Sequence, residues 1–265
     1  MLVLHQPVKG LSEAQTFNFP PVRDIFTPDP GYTIIDIDLE GADARVVAWR
    51  VGSIRLKAAF LAGLKVHAEN AKLMFPASEC GEDGMREPTY TKTKKMTHAT
   101  NYGVTPPTMA AGTGVPLHEC KSFLIRWLNA NPEIKDWHKE VDFLVQRDRG
   151  MSNPFGYKIR WFDRPHALRN KALAWEPQSV VAEVTYRVLR RLRKEEPRIQ
   201  PLMQVHDSLV LQCRTINLQS CLRSLYRICM DIIVPYPDPL IIPWGLKLST
   251  SSWGECEKAK WSTYL

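Results

Sequence analysis

Two aspartates stand at predicted strand ends, where their carboxylates could together hold divalent metal ions. Asp38 follows the apolar run 32–37, and Asp207 lies between the apolar segments 203–205 and 209–211, which predicts a hairpin with Asp207 at its turn. Carboxylates on rigid strands can fix paired ions that clamp an attacking oxygen, a reacting phosphate and a leaving group. Hard, oxygen-preferring ions such as Mg²⁺ suit that role. A strand-end aspartate is also a common turn residue, so the pair alone leaves both interpretations open.

Three stretches of sequence lie around or between these aspartates. In the first, Asp38 is followed by an acid five positions on, Asp43, and by Arg45 two positions further. The second, 94–103, is a basic segment that closes on Tyr-Gly, and the third is Gln-Val-His-Asp at 204–207 before an apolar run. In order and spacing these stretches resemble the three motifs of the family A DNA polymerases, the group of bacterial DNA polymerase I and many phage replicases. The similarity runs from about residue 13 to residue 256.

The resemblance implies an α+β fold, in which a palm subdomain made of an antiparallel sheet with packed helices carries a helical fingers insertion. We expect the palm at 32–65 and 171–265, the fingers at 66–170, and an extended, proline-rich lead-in at 1–31. In the family a helical thumb, and usually a proofreading exonuclease domain, precede the palm. The lead-in is far shorter than a typical domain of ~100 residues. We therefore expect the thumb and exonuclease domains to be absent from this chain and to reside on a separate partner chain.

The resemblance also implies roles for individual residues. Asp38 and Asp207 are expected to be catalytic and, with the Leu39 backbone carbonyl, to hold two Mg²⁺ ions, for which Mn²⁺ could substitute. The residues expected to bind the incoming deoxynucleoside triphosphate are Asp43, His67, Lys94, His98 and Tyr102. The residues expected to bind primer-template DNA are Arg160, Gln178 and His206.

The spacing of the basic segment supports its proposed role. Lys94, His98 and Tyr102 are four residues apart, so a helix would place them on one face. That face would present two cations and an aromatic ring to a triphosphate and its base. The alternative is an amphipathic surface helix, but the Thr-rich stretch 89–100 is only weakly apolar.

Several positions depart from the family pattern. Asp43 stands where the family has a glutamate that excludes ribonucleotides, so a looser gate with relaxed sugar selectivity is an alternative. His98 stands where a lysine is usual, and Pro106 stands in place of a second aromatic residue. Ala174 replaces an asparagine, and Ser208 replaces a glutamate that is not essential to metal binding.

Three of these candidates also have plainer interpretations. Asp43 could simply favour the first turn of its helix through the helix dipole. Arg45 could pair with a neighbouring acid, which is the interpretation we favour for it. His67, as a lone histidine on a helix, is more often structural.

Composition is compatible with a polyanionic partner. The 265 residues include 35 Lys and Arg against 28 Asp and Glu, which gives a formal charge of +7 and a pI of about 9.1. Phosphate neutralisation supplies much of nucleic-acid affinity. The densest basic stretches are 92–95 and 187–194, and the second could equally be one solvated face of a long helix.

The cysteines and the apolar stretches bear on the compartment. The six cysteines show no metal-binding spacing and are expected to be reduced thiols. No apolar stretch approaches the ~20 residues of a membrane span, so we expect a cytoplasmic protein without a membrane partner.

Local patterns predict the elements that position the site. We expect a strand at 32–38 and a hairpin at the second aspartate. A second, short hairpin is expected at 155–162, and an acidic surface loop at 76–88. The predicted helices run from about residue 42 to 51, 56 to 62, 66 to 75, 171 to 195 and 218 to 232, with helices dominant up to about residue 149 and a closing strand at 244–248.

These patterns lead to one main hypothesis, the catalytic core of a template-directed DNA polymerase that transfers deoxynucleotides to a primer 3′ hydroxyl. It would act as the catalytic part of a split replicase. Two alternatives stay open: a polymerase with relaxed sugar selectivity, and a catalytically degenerate palm that serves as a DNA-binding or complex-assembly subunit.

Overall fold

The computed structural model of the chain describes residues 22–164 and 167–265. Most of the lead-in predicted at 1–31 lies outside the described residues. Its last part begins with a single 3-10 turn at Val22–Ile25 and continues as irregular chain into the first strand.

Helices and strands are interleaved along the described residues. The strands are β1 Tyr32–Leu39, β2 Gly150–Ser152, β3 Lys158–Arg160, β4 Gln200–Val205, β5 Ser208–Arg214, β6 Ile233–Val234, β7 Leu240–Ile241, β8 Trp244–Ser249 and β9 Glu257–Ala259. The helices are α1 Ala42–Arg50, α2 Ile54–Leu61, α3 Val66–Met74, α4 Ala77–Cys80, α5 Thr89–Asn101, α6 Pro106–Thr113, α7 Leu117–Ala130, α8 Pro132–Asp148, α9 Arg169–Glu195 and α10 Leu218–Met230. This confirms the mixed, α+β class expected from the sequence.

A five-stranded antiparallel sheet in the order β4-β5-β1-β8-β9 carries both candidate aspartates. The central strand β1 pairs with β5 on one side and with β8 on the other. Because side chains alternate along a strand, Ile35 and Ile37 face the main hydrophobic core, whereas Ile34, Asp36 and Asp38 face the opposite side of the sheet. The alternation thus sends the carboxylate of Asp38 away from the core.

The main core joins the inner face of the sheet to the long helices α9 and α10 and to the helical segment α3–α8. Val180, Val184 and Val188 on α9 are fully or almost fully buried at helical spacing. Trp127 and Phe123 on α7 are equally buried, so the helical segment shares this core with the sheet.

One buried ion pair ties the sheet layer to the helical segment. Arg50 at the end of α1 donates from Nε to Glu176 on α9 at 2.9 Å and from a terminal nitrogen to Glu140 on α8 at 2.7 Å. The hydroxyl of Tyr236 donates to Glu176 at 3.4 Å. Glu176 is only 3% exposed, and its burial raises the pKa of its carboxyl despite the opposing charge of Arg50.

Two local expectations were wrong. The hairpin predicted at 155–162 has its strands at β2 and β3, so Phe155 and Tyr157 lie in the intervening loop and the other two aromatic residues follow β3. Asn153 explains the shift, because its buried Oδ1 accepts from the amides of Phe155 and Tyr157 and closes the loop. The loop predicted at 76–88 contains the short helix α4.

The other element predictions are confirmed to within about two residues, the usual disagreement at helix ends. All six cysteines are free. In the residues that the structure describes, no helix has both the length and the apolar character needed to cross a membrane.

Candidate active site

The end of β1 and the β4–β5 turn bring Asp38 and Asp207 together. Asp38 is the register partner of Ser208, the first residue of β5, and the Leu39 amide donates to the Asp207 carbonyl at 3.2 Å. His206 occupies the turn with a φ of 55°, in the left-handed region that histidine adopts more readily than most side chains. The predicted hairpin with its His-Asp turn is therefore confirmed.

A cleft of about 590 Å³ opens at this end of the sheet. Gly41, with a φ of 60°, lets the chain pass directly from β1 into α1, so that the first turn of α1 forms one wall. Asp43 lies in that first turn, as the helix-dipole interpretation also expected. The predicted site residues that line the cleft are Asp38, Leu39, Asp43, His67, Lys94, His98 and Asp207.

The electrostatics of the cleft suit a divalent cation. Burial, and next the charge of Asp207, raise the pKa of the Asp38 carboxyl, with Asp36 and Glu40 acting in the same direction and Lys247 against it. A dication between the two carboxylates would relieve this repulsion. The donors fit Mg²⁺, which is commonly bound through one or two carboxylates together with substrate phosphates. No cluster of three or more ligating side chains occurs in the described parts of the chain.

A second aspartate on the same face of β1 has a structural role. Asp36 is buried and accepts hydrogen bonds from the Ser208 hydroxyl at 2.8 Å and from the Trp253 indole at 3.2 Å. The Lys247 ammonium lies 3.4 Å from Oδ2 of Asp36, the oxygen that also accepts the hydrogen bond of Trp253. The hydroxyl of Ser208 is thus occupied in holding Asp36.

Helix α5 presents Lys94, His98 and Tyr102 along one side, and Tyr102 is its C-terminal cap residue. The rings of His98 and Tyr102 have centroids 6.3 Å apart, and the ring of His67 on α3 lies 5.3 Å from that of His98. The prediction that these three residues share one face of a helix is therefore confirmed. Tyr102 stands beside the cleft rather than in its lining.

Both histidines are neutral in the free chain near neutral pH. Burial lowers the pKa of His67 to about 4, with His98 and Lys94 adding to the effect. Burial also lowers the pKa of His98, partly offset by the Asp43 carboxylate. The Nδ1 atom of His67 is buried and has no hydrogen-bond partner among the described residues. The face of α5 thus carries one permanent cation, Lys94, rather than the two expected.

Asp43 lies near the aromatic cap of α5, although the buried Tyr102 hydroxyl has no hydrogen-bond partner among the described residues. Burial, and next the Asp43 carboxylate, raise the pKa of Tyr102. An acid on α1 and an aromatic residue at the end of α5 therefore lie near each other beside the cleft.

Arg45 has no ion-pair partner among the described residues, whereas the sequence favoured one. Its Nε donates to the backbone carbonyl of Glu40 at 2.9 Å, and its guanidinium lies 4.4 Å from the centre of the Phe60 ring. Lys65 and Tyr90 also line the cleft, and neither was predicted from the sequence.

The three predicted DNA contacts lie outside the lining of this cleft. Gln178 is exposed on α9, and His206 is exposed at the hairpin turn beside Asp207. Arg160 on β3 lines a different groove of about 1010 Å³, which also contains Arg50 and Glu140. The structure therefore brings together the metal and nucleotide candidates but not the DNA candidates.

Comparisons with known proteins agree with this architecture. The model of DNA polymerase family A matches residues 12–250. The chain is 24% identical over 233 residues to the DNA polymerase of Mycobacterium phage D29, which covers 88% of this chain and 37% of that protein. It is 23% identical over 234 residues to the thermostable DNA polymerase I of Thermus aquaticus, which covers 85% of this chain and 28% of that protein.

A solved structure shares the fold. The POL domain of Pol1 from M. smegmatis, in complex with DNA primer-template and dNTP, superimposes with a TM-score of 0.74 at 19% identity and covers 89% of this chain and 42% of that one. The chain belongs to DNA polymerase family A. It spans less than half the length of these relatives.

Proposed function

We propose that this chain is the catalytic core of a template-directed DNA polymerase, which transfers deoxynucleotides to a primer 3′ hydroxyl with the help of two divalent ions. The observation that carries the proposal is the juxtaposition of Asp38 and Asp207 in one cleft with Lys94 and His98. Membership of DNA polymerase family A, and the M. smegmatis polymerase domain bound to primer-template and dNTP, support it.

In this proposal each wall of the cleft has one task. Mg²⁺, or Mn²⁺ in its place, would be held by Asp38, Asp207 and the Leu39 carbonyl. The hydrogen bond from the Leu39 amide to the Asp207 carbonyl keeps the two carboxylates in register. When bound, the ions polarise the reacting phosphate and stabilise the attacking and leaving oxygens. Lys94 supplies a permanent charge for the triphosphate.

The remaining nucleotide contacts are assigned by position. The buried, unpaired Nδ1 of His67 is a nitrogen that a phosphate oxygen would satisfy, with the ring as donor. Asp43 and Tyr102 face each other where the sugar would lie, and His98 stands beside the departing phosphates. Gln178, His206 and Arg160 stay proposed contacts to primer-template DNA on surfaces outside the cleft.

A primer-extension assay tests the proposal. We expect Asp38→Asn and Asp207→Asn each to lower the rate of extension by at least about 100-fold while duplex binding persists, because each removes a metal-binding charge at nearly constant shape. The matched control is Asp136→Asn on α8, which removes an aspartate from an exposed surface pair with Lys139 and should change the rate less than about twofold. A wild-type chain that binds duplex without extending it would favour the DNA-binding, assembly-subunit alternative. Near wild-type extension by either cleft variant would disprove the metal assignment.

The separate chain carrying the thumb and exonuclease domains stays part of the proposal. The relatives are more than twice as long as the segment they share with this chain. Purification from the native source tests the idea, because a second polypeptide should copurify and lengthen the extension products. Long products made by this chain alone would contradict it.

A further inference from the structure

The outer face of the sheet carries two lysines from strands that are distant from β1 in sequence. Lys247 on β8 is the register partner of Asp36, and Lys258 on β9 is the register partner of Lys247. Register partners in an antiparallel sheet point to the same face, with Cβ atoms about 5 Å apart. The two lysines therefore form a row that begins at Asp36.

This row lies on the same side of the sheet as the metal-site carboxylate. Leu246 and Leu248 face the core, so Lys247 between them faces outward with Asp36 and Asp38. Asp36 and Asp38 are two residues apart on β1, which corresponds to about 7 Å along the strand. Position 245, the register partner of Asp38, is a glycine, so no side chain from β8 separates the carboxylate from the lysine row.

Only one of the two lysines in the row has a carboxylate partner among the described residues. Lys247 pairs with Asp36 at 3.4 Å, and its side chain remains 34% exposed. Lys258 is exposed and makes no ion pair in the part of the chain that the structure describes. Like charges directly opposite each other destabilise a sheet, so a bound anion would stabilise this arrangement.

We infer that Lys247 and Lys258 bind backbone phosphates of the DNA duplex beside the primer terminus. The inference rests on the proposed function, in which the primer 3′ hydroxyl lies at Asp38 and Asp207. A nucleotide triphosphate offers the same phosphate chemistry, but the basic side chains that line the nucleotide cleft are Arg45, Lys65 and Lys94, and neither lysine of the row lines that cleft. The row continues the outer face of the sheet away from the cleft, where the duplex would follow.

The salt dependence of duplex binding tests this inference. Fluorescence anisotropy would give Kd for a primer-template duplex between about 50 and 200 mM salt, without nucleotide. Each lost phosphate contact should reduce the slope of log K against log salt by about 1, so we expect this reduction for Lys258→Gln and about 2 for Lys247→Gln/Lys258→Gln. Lys121→Gln on α7 removes an equally exposed charge and should leave the slope unchanged.

The single variants separate binding from folding. Lys247→Gln also removes a partner of the buried Asp36, so Lys258→Gln, whose side chain is exposed and unpaired among the described residues, decides the outcome. KM for the deoxynucleotide should stay unchanged in both.

Three results would overturn the inference. If the wild type binds and extends the duplex but Lys258→Gln has an unchanged salt slope, the inference is wrong and the proposed function stands. A raised KM with an unchanged duplex Kd would assign the lysines to the triphosphate instead. A wild-type chain that does not bind duplex would overturn this inference together with the proposed function.

Discussion

The protonation of His98 would change when the cleft binds a triphosphate. In the free chain its pKa lies below the usual value of a histidine because burial outweighs the favourable charge of Asp43. A bound triphosphate would favour the imidazolium form and raise the pKa of the ring. If the protonated ring stabilises the departing pyrophosphate, the rate of incorporation depends on a group that loses its proton within the working pH range.

We therefore expect His98→Lys to retain activity at higher pH than the wild type. The wild-type rate should fall as the pH rises through the His98 pKa of the complex, whereas a lysine, with a pKa near ~10.4, stays charged. Single-turnover incorporation from about pH 6 to about pH 9 measures the difference. His98→Gln is the control and should show a low rate with little dependence on pH in this range. Superimposable profiles for wild type and His98→Lys would remove His98 from the proposed mechanism.

At the scale of single residues, the sequence could predict those that follow a local rule. The spacing of four placed Lys94, His98 and Tyr102 on one side of α5, because a helix repeats every 3.6 residues. The same spacing extends back to Tyr90, which also lines the cleft, although it was not predicted. Lys65 could not be found this way, since it reaches the cleft only through the packing of α3 against α5. The sequence also could not indicate that His98 is neutral, because burial is a property of the folded chain.

Helices α3 and α5 meet at the pair of histidines, and this contact makes the stability of the fold depend on pH. His67 has a pKa of about 4 in the folded chain and about 6.5 in the unfolded chain. Between these values the unfolded chain binds the additional proton, so the free energy of unfolding decreases as the pH falls from about 6.5 to about 4. Above about pH 6.5 this dependence is absent.

We expect His67→Gln to weaken this dependence. The wild type should lose at most on the order of 3 kcal/mol through His67 over that interval, and the variant should lose correspondingly less. Urea unfolding of both proteins at a series of pH values measures the difference in slope, which is independent of any constant packing loss in the variant. Parallel stability curves below about pH 6.5 would contradict the assignment.

Among the elements, long periodic segments were predictable and short aromatic ones were not. The helix α9 buries residues at helical spacing, and the strand β1 is an almost continuously buried run of strand-forming residues. The aromatic run near 155 indicated a strand, but its side chains serve the packing of a loop against α9. Tyr157 stacks on Trp175 with ring centroids 6.4 Å apart, and Arg187 lies 4.3 Å from the centre of the Phe155 ring. Strand propensity here reflects a half-buried surface rather than a ladder.

At the scale of the whole molecule, the Arg50 cluster connects the sheet layer to the helical segment. We expect Arg50→Met to lower the free energy of unfolding by about 3 kcal/mol, because it leaves the buried carboxylate of Glu176 without its cation. Glu140 is half exposed, so Glu140→Gln should cost less than about 1 kcal/mol.

A double variant controls this prediction. Arg50→Met/Glu176→Gln removes both buried charges and should recover much of the loss, as measured by urea unfolding. Equal losses in Arg50→Met and Glu140→Gln would show that the buried carboxylate does not dominate the connection.

The lysine row shows where prediction from sequence ends. The basic stretches visible in the sequence are contiguous, whereas Lys247 and Lys258 become neighbours only through the register of β8 with β9. The register of β1 with β8 brings Asp36, more than two hundred residues away, into contact with Lys247, and Trp253 in the loop after β8 also donates to Asp36. Such clusters depend on long-range pairing that no local pattern encodes.

The two carboxylates proposed to bind metal differ in the part of the sheet that holds them. Asp38 belongs to the central strand, which is hydrogen-bonded on both sides, whereas Asp207 follows β4, the strand at the edge. Opening of the edge hairpin disrupts the pairing of β4 and β5, whereas exposing Asp38 requires the centre of the sheet to separate. We therefore expect the cleft to lose its shape through local opening of this hairpin, at a lower free energy than global unfolding requires.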